Sequence, residues 1–369
     1  MNSRSYASID DLRIVWAIAA KDIADAVKNK TFLSIIIGMA MLMLSTQAFP
    51  FLIGLSAKPS LIVYDAGGSS GGDSGVLTKL REDGRYRLIE VDSAEELEGA
   101  LVSADAEVLG LIVPAGVDPA LAAGNELELD GYVAWSRRSA ADELRSDLEA
   151  TLRELLGQPV SVNVAGHIVY PPPEGGGSAG MVAIVLVLIL TITGGFLVPY
   201  LMLEEKQTHT LDALLVSPAS IRHIVAGKAL AGLAYCLVAA AVVLAFHWSM
   251  VVRWEVAIVA TLCGAVLTVG LGLLLGSLFE NAQQTSLLMG LPALVLILPV
   301  VLAAVGASLP DPLAGLLPWT PTVALGKAYL VSFSNAVTLA GALGDLAVVL
   351  AWAVPIYGVV VWLVRRSDR

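Results

Sequence analysis

The sequence predicts an α-helical polytopic membrane protein of six transmembrane helices with an inserted extracytoplasmic α/β domain. Three observations predict it. Apolar residues make up 56% of the 369 residues and charged residues only 15%, against about 25% charged in a soluble globule, and the mean hydropathy is +0.76. Six apolar runs reach the roughly 20 residues that cross a hydrocarbon core at 1.5 Å per residue. Between the first and second of these runs lies the polar stretch 56–180. It carries 21 acidic against 9 basic side chains and so holds essentially the whole formal charge of −11. This composition excludes a disordered chain, a collagen and a disulfide-stapled secreted domain. Cys236 and Cys263 both sit inside apolar runs, where they read as small core fillers. An acidic surface cannot neutralise phosphates, so no nucleic-acid partner is expected.

Residues 1–31 are read as a cytoplasmic N-terminus. Leu12, Val15, Trp16, Ala19, Ile23 and Val27 recur at helical spacing, while Asp11, Lys21, Asp22, Asp25 and Lys28 take other faces. Ser8, with Asp11 three residues on, resembles a capping box. The pattern predicts an amphipathic helix over 8–30 in the cytoplasmic interface, Trp16 at headgroup level; an ordinary packing helix in a cytosolic extension is the competing reading. Transmembrane helix 1 occupies 32–55 (Phe32–Leu55). The thirty or so residues ahead of it, with Asp22 and Asp25 in its flank, argue against a cleaved signal peptide, whose leading region is short and basic.

The extracytoplasmic domain covers 56–179. Strands are predicted at Leu61–Tyr64, Tyr86–Val91, Val108–Val113 and Leu127–Ala134. Helices are predicted at Val76–Glu82, at Ser93–Val102 behind a Ser93/Glu96 capping box, and at Ala140–Leu156 with Leu144, Leu148, Leu152 and Leu155 on one face. Alternating strands and helices make an α/β domain. The glycine tract from Gly67 to Gly75 could cradle an anion in its backbone N–H groups, but it lacks the Lys-Ser/Thr ending of a phosphate loop, and a surface loop is the simpler reading. Pro171-Pro172-Pro173 and Gly175-Gly176-Gly177 then lead back to the bilayer.

Residues 180–364 hold transmembrane helices 2–6, at Gly180–Leu203, Ile224–Phe246, Val256–Phe279, Ser286–Gly306 and Leu343–Val364, ahead of a cytoplasmic tail at 365–369. With the N-terminus inside, Lys and Arg concentrate on the cytoplasmic flanks, and the short outer loops keep only Arg253 and Lys327. Both termini are therefore cytoplasmic. Gly272 and Gly276 form a G-x-x-x-G pair for close helix approach on the fourth span. Pro292, Pro299 and Pro355 interrupt the last two spans, as kinks or as the lining of a pathway.

The chain has no P-loop: Gly227-Lys228 is followed by Ala229 and Gly326-Lys327 by Ala328. If ATP is used, another chain must bind it. Intramembrane proteolysis fails on geometry, since Ser277 and His247 fall near opposite ends of different spans, and Glu204 and Glu205 are followed by His209 where a glutamate protease of the EExxxR kind needs Arg. His209 and His223 have no third metal ligand in view. No catalytic residue, cofactor or metal site is assigned.

The segment 204–222 joins the second and third spans. It contains Glu204-Glu205-Lys206-Gln207-Thr208-His209-Thr210-Leu211-Asp212-Ala213-Leu214-Leu215-Val216-Ser217-Pro218. Thr208 or Thr210 can cap a short helix with Leu211, Leu214 and Leu215 on one face, and Ser217-Pro218 ends it. Such a rod suits a groove on a partner protein or the membrane surface.

This E-E-K-x-x-x-T-L-[ED]-A-L-L-V-[ST]-P pattern, followed by a span opening near Gly227-Lys228, resembles the coupling-helix segment of ABC-2-type exporter permeases. Within them it is most similar to the sodium-efflux/multidrug branch with a large extracytoplasmic domain after the first span. Val113-Pro114-Ala115-Gly116 is similar to the I-P-x-G-F turn of that domain, Glu280-Asn281-Ala282-Gln283-Gln284 to the short A-Q loop, and Leu317-Pro318-Trp319-Thr320-Pro321 to the outer P-x-T-P stretch. The resemblance implies a permease subunit of the cell membrane that has no ATPase site of its own and is driven by a separate ABC ATPase carrying ATP and Mg. It implies that Glu204, Glu205, Thr208, Leu211, Asp212, Leu214, Leu215 and Pro218 contact that ATPase. It also implies that residues 8–30 are an elbow helix and that a second permease chain, identical or not, completes the transporter. The spans show no chain of buried carboxylates (Asp345 lies near an end), which favours a hydrophobic or amphiphilic cargo over a bare cation. The alternative class is a non-transporting membrane receptor or scaffold whose outer domain binds a ligand or partner.

Overall fold

The computed structural model describes residues 3–26, 58–66, 73–103, 108–164, 166–173, 177–199, 202–203, 220–278, 290–304 and 310–367, with scattered positions between 30 and 44. The chain divides into two compact units, one comprising Met1–Met43, Met181–Ser332 and Ala336–Arg369, the other Leu44–Gly180 and Phe333–Asn335.

The second unit is an α/β sheet domain. Its elements run β1 (Ser60–Asp65), α2 (Gly75–Asp83), β2 (Arg87–Val91), α3 (Ala94–Ser103), β3 (Val108–Val113), α4 (Val117–Ala123), β4 (Leu127–Ala134), a 3-10 turn (Trp135–Ala140), α5 (Ala141–Leu156), β5 (Val160–Asn163) and β6 (Ile168–Val169). The sheet order is β2-β1-β3-β4-β5, with β6 paired to β4. β1 is parallel to both neighbours, Ile62 facing Ile89 on one side and Gly110 on the other, while β3 and β4 are antiparallel. Because side chains alternate across a strand, β1 feeds two cores. Leu61 and Val63 join the core roofed by α2, α4 and α5, whereas Ile62 joins Leu97 and Leu101 of α3 on the opposite face. Each fully buried Leu or Ile contributes about 1.5–3 kcal/mol. The four predicted strands and three predicted helices of this domain are all present. The Ser93 hydroxyl accepts from Glu96 N at 3.1 Å, and Glu96 reaches back to Asp92 N at 2.9 Å. Helix α4 and strands β5 and β6 are additions to the sequence reading. Gly116, in the predicted Val113–Gly116 turn, sits at φ 87° and starts α4, a left-handed conformation that suits glycine.

Most of the glycine tract, 67–72, lies outside the described residues. At its end, Ser74 N donates to Asp65 Oδ2 at 2.8 Å and Gly75 N to Asp118 Oδ1 at 2.7 Å. The protein's own carboxylates thus take the backbone donors that an anion would need.

The first unit is helical: α1 (Ser3–Ala26), α6 (Gly177–Ile192) continued by a π-helical segment (Thr193–Leu197), α7 (Ile221–Phe246), α8 (Trp254–Leu278), α9 (Gly290–Ala304), α10 (Asp311–Leu316), α11 (Pro321–Phe333) and α12 (Leu339–Ser367). Four helices among the described residues are long and apolar enough to cross a membrane, at Ser178–Leu197, Ile221–Phe246, Trp254–Leu278 and Leu339–Arg366, and Leu294–Ala303 is a shorter apolar stretch. These match the second, third, fourth and sixth predicted windows. Much of the first window, Phe32–Leu55, and the opening of the fifth, Ser286–Gly306, lie outside the described residues. Helix α1 begins at Ser3, upstream of the Ser8 cap expected from sequence.

The glycines of α8 set how closely its neighbours approach. A Cβ on Gly272 would run into Gly194 O of the π-helical segment, and one on Gly276 would lie 2.8 Å from Met202 Sδ. The G-x-x-x-G pair therefore brings two backbones into contact, as small residues do between membrane helices. On another side of α8, the Tyr357 ring of α12 covers Gly270, and its hydroxyl donates to Val266 O at 3.0 Å.

Candidate functional site

The candidate coupling residues Glu204, Glu205, Thr208, Leu211, Asp212, Leu214, Leu215 and Pro218 lie outside the described residues. What the structure defines is the anchorage on either side of them. Upstream, the chain arrives through the π-helical segment of α6, whose wider turn places Gly194 O against Gly272. Thr193 Oγ1, wholly buried, has no hydrogen-bond partner among the described residues.

Downstream, Ser220 caps α7. It forms a capping box in which the third residue of the helix is His223, and Ser220 N donates to His223 Nδ1 at 3.1 Å. With Nδ1 accepting, the ring proton is on Nε2, which sits 3.1 Å from Asp11 Oδ1 of α1. The histidine that sequence alone left without a third metal ligand thus ties the first turn of α7 to α1.

That tie is the first of several. Gly227 lets α1 approach: a Cβ there would lie 2.6 Å from Ile18 Cγ2 and 3.2 Å from Val15 O. Lys228 Nζ lies 3.4 Å from Asp22 Oδ2, and the Tyr235 hydroxyl donates to Asp22 O at 2.7 Å. The partners ascend together along both helices, Asp11 with His223, Ile18 with Gly227, Asp22 with Lys228 and Tyr235. The two helices therefore run side by side in the same direction for about 16 Å, the rise of the eleven residues from Asp11 to Asp22. Of the apolar stripe predicted on α1, Ala19 is buried and Ile23 packs on Leu197, Ala231 and Tyr235, whereas Leu12 and Trp16 are exposed. Asp22 and Lys228 are functional candidates that sequence reasoning passed over. It met Gly227-Lys228 as a failed phosphate motif and as the opening of a span, and did not pair Lys228 with Asp22.

The residues weighed for proteolysis are otherwise engaged. Ser277 Oγ donates to Leu274 O at 2.7 Å, and His247 Nδ1 is 3.0 Å from Val243 O of its own helix.

A bundle of membrane-length helices with one amphipathic helix fastened along it, accompanied by a small sheet domain, defines a polytopic membrane protein. A family model described as "ABC-2 family transporter protein" matches residues 30–363, and the chain belongs to that family, the membrane components of ABC transporters. Among curated proteins none matches the chain. Family membership makes it a transmembrane transport component of the kind that partners with an ABC ATPase.

Proposed function

We propose that the chain is the permease subunit of an ATP-driven exporter of the sodium-efflux/multidrug branch, coupled to a separate ATPase through segment 204–222 and working with a second permease chain. The family match over 30–363 supports the permease reading. The observation that carries the coupling is the anchorage on both sides of the segment: Gly194 wedged against Gly272 before it, and the Ser220–His223–Asp11 tie after it. A rod joined to two held helices passes a displacement to the bundle instead of absorbing it. Closure of the ATPases would push the Leu211, Leu214 and Leu215 face and tilt α6 and α7 together, with α1 following α7. In this reading six spans cross the membrane, both termini and the coupling segment are cytoplasmic, and domain 56–179 is outside. ATP and Mg belong to the partner, and the cargo is hydrophobic or amphiphilic.

The test replaces Leu211 and Leu215 with Asp together. The chain should still insert, while ATPase co-purification and ATP-dependent export are lost. Normal association and export in that variant would overturn the assignment.

A further inference from the structure

A cleft of about 540 Å³ opens among α1, α7, α8 and α12, lined by Val15, by α7 from Arg222 to Leu233, by Leu273, and by α12 from Tyr357 to Arg365. Its walls are apolar except at one end, where Arg222 and Arg365 stand at the first turn of α7 and the last turn of α12. No Asp or Glu lines it among the described residues. At the deep end the Tyr357 hydroxyl donates to Val266 O, so its proton is directed into the protein.

The dimensions match one leaflet of a bilayer. Arg222 to Leu233 is eleven residues, about 16 Å along a helix axis, and Arg365 back to Tyr357 is about 12 Å. Half of a hydrocarbon core of roughly 30 Å is about 15 Å. A slot of leaflet depth has the form of one acyl chain, and two guanidiniums at its mouth have the chemistry that pairs with a phosphodiester. Basic pockets between membrane helices hold anionic headgroups in this way. A zwitterionic headgroup would bring its own cation against the same two arginines.

We propose that this cleft binds an anionic glycerophospholipid, one acyl chain running between α7 and α12 to Leu233, Leu273 and Tyr357, with the headgroup phosphate between Arg222 and Arg365. The lipid joins α7 to α12 on the side of α7 away from the Lys228–Asp22 pair, and it is a resident component, not cargo. The site needs neither ATPase nor transport, so it stands apart from the function proposed above.

The test is photolabelling of the full chain in nanodiscs, with phosphatidylglycerol or phosphatidylcholine carrying a diazirine at the end of one acyl chain. Phosphatidylglycerol should label peptides containing Leu233, Leu273 or Tyr357, and phosphatidylcholine should label them far less. Arg222→Gln with Arg365→Gln should lower the phosphatidylglycerol labelling about thirtyfold, and Arg365→Gln alone, at the exposed end of α12, about fivefold. Leu233→Trp, which fills the deep end, should abolish the labelling with both arginines in place. Equal labelling by the two lipids, labelling confined to other peptides, or labelling unchanged in Arg365→Gln would overturn the site. Labelling that disappears only while the ATPase turns over would identify the occupant as cargo and overturn the assignment of a resident lipid.

Discussion

Asp22 of α1 and Lys228 of α7 form an ion pair at 3.4 Å in which the two side chains are only 12% and 6% exposed. A second cation, Lys21, stands 3.7 Å from the other Asp22 oxygen. Removing one member of such a pair strands a buried charge, which costs about 3–5 kcal/mol, whereas replacing both by apolar groups is close to neutral. Lys228→Met should therefore destabilise the solubilised protein in heat- or SDS-induced unfolding, by less than that full amount because Lys21 still faces Asp22. Lys228→Met combined with Asp22→Leu should recover most of the loss. Recovery is expected because Tyr235 bonds the Asp22 backbone oxygen, which the substitution leaves in place. Additive losses in the double variant would mean that the two residues act separately.

Gly272 offers a steric test of the same bundle. A Cβ at this position would run into Gly194 O, whereas one at Gly344 meets no atom of the described residues within 4 Å. Gly272→Ala has to separate α8 from the π-helical segment, and overpacking of this kind costs about 1–3 kcal/mol. Gly344→Ala, in an uncrowded helix position, should be neutral or stabilising by up to about 1 kcal/mol. Unfolding midpoints of the two variants against the parent chain decide the matter; equal midpoints would show that the bundle yields at Gly194.

The sheet domain was legible because its central strands carry their own signal. Val108–Val113 is continuously apolar, as a strand buried on both faces has to be, and Leu127–Ala134 alternates. β5 was not legible: four residues after Pro159 hold too little pattern, and they become a strand only because Leu127 and Val160 come into register and Glu149 Oε1 accepts Val162 N. Helix α4 is hidden by its shortness and by the left-handed Gly116 that starts it. At the candidate site the limit is different in kind. Periodicity placed Asp22 away from the apolar stripe of α1, and Lys228 fell near the opening of a span. Nothing in a one-dimensional pattern pairs two residues 206 positions apart; the pairing exists because Gly227 lets Ile18 come close enough to align the helices.

In the sheet domain, Tyr132 of β4 titrates above its ordinary value near 10. Burial is the first cause, followed by the negative charges of Asp130 and Glu98, all of which disfavour the phenolate. The unfolded chain therefore loses this proton first as pH rises. The stability contributed by the raised value is complete below about pH 10 and is lost as pH climbs from there through the folded value. Tyr132→Phe removes this term, so its unfolding midpoint should decline less steeply than that of the parent above about pH 10. The two should run parallel between pH 7 and 9. Parallel curves throughout the alkaline range would show that Tyr132 ionises alike in both states.

The sidedness of the proposed coupling segment can be read chemically, because Ser217 lies in sequence between Leu215 and Pro218 in a chain with only two cysteines. Of these, Cys236 is buried and Cys263 half-buried, so Cys236→Ala with Cys263→Ala gives a silent background. Cys236 Sγ lies 3.9 Å from Thr268 Oγ1, a weak contact whose loss should cost well under the cavity penalty of a large side chain. Ser217→Cys in that background should react with a membrane-impermeant maleimide in inside-out vesicles and stay unlabelled in intact cells. The cytoplasmic placement proposed for segment 204–222 predicts that result. Labelling from outside intact cells would place Leu211 and Leu215 on the face of the membrane where no ATP-driven partner could push them, and the proposed coupling would fall with it.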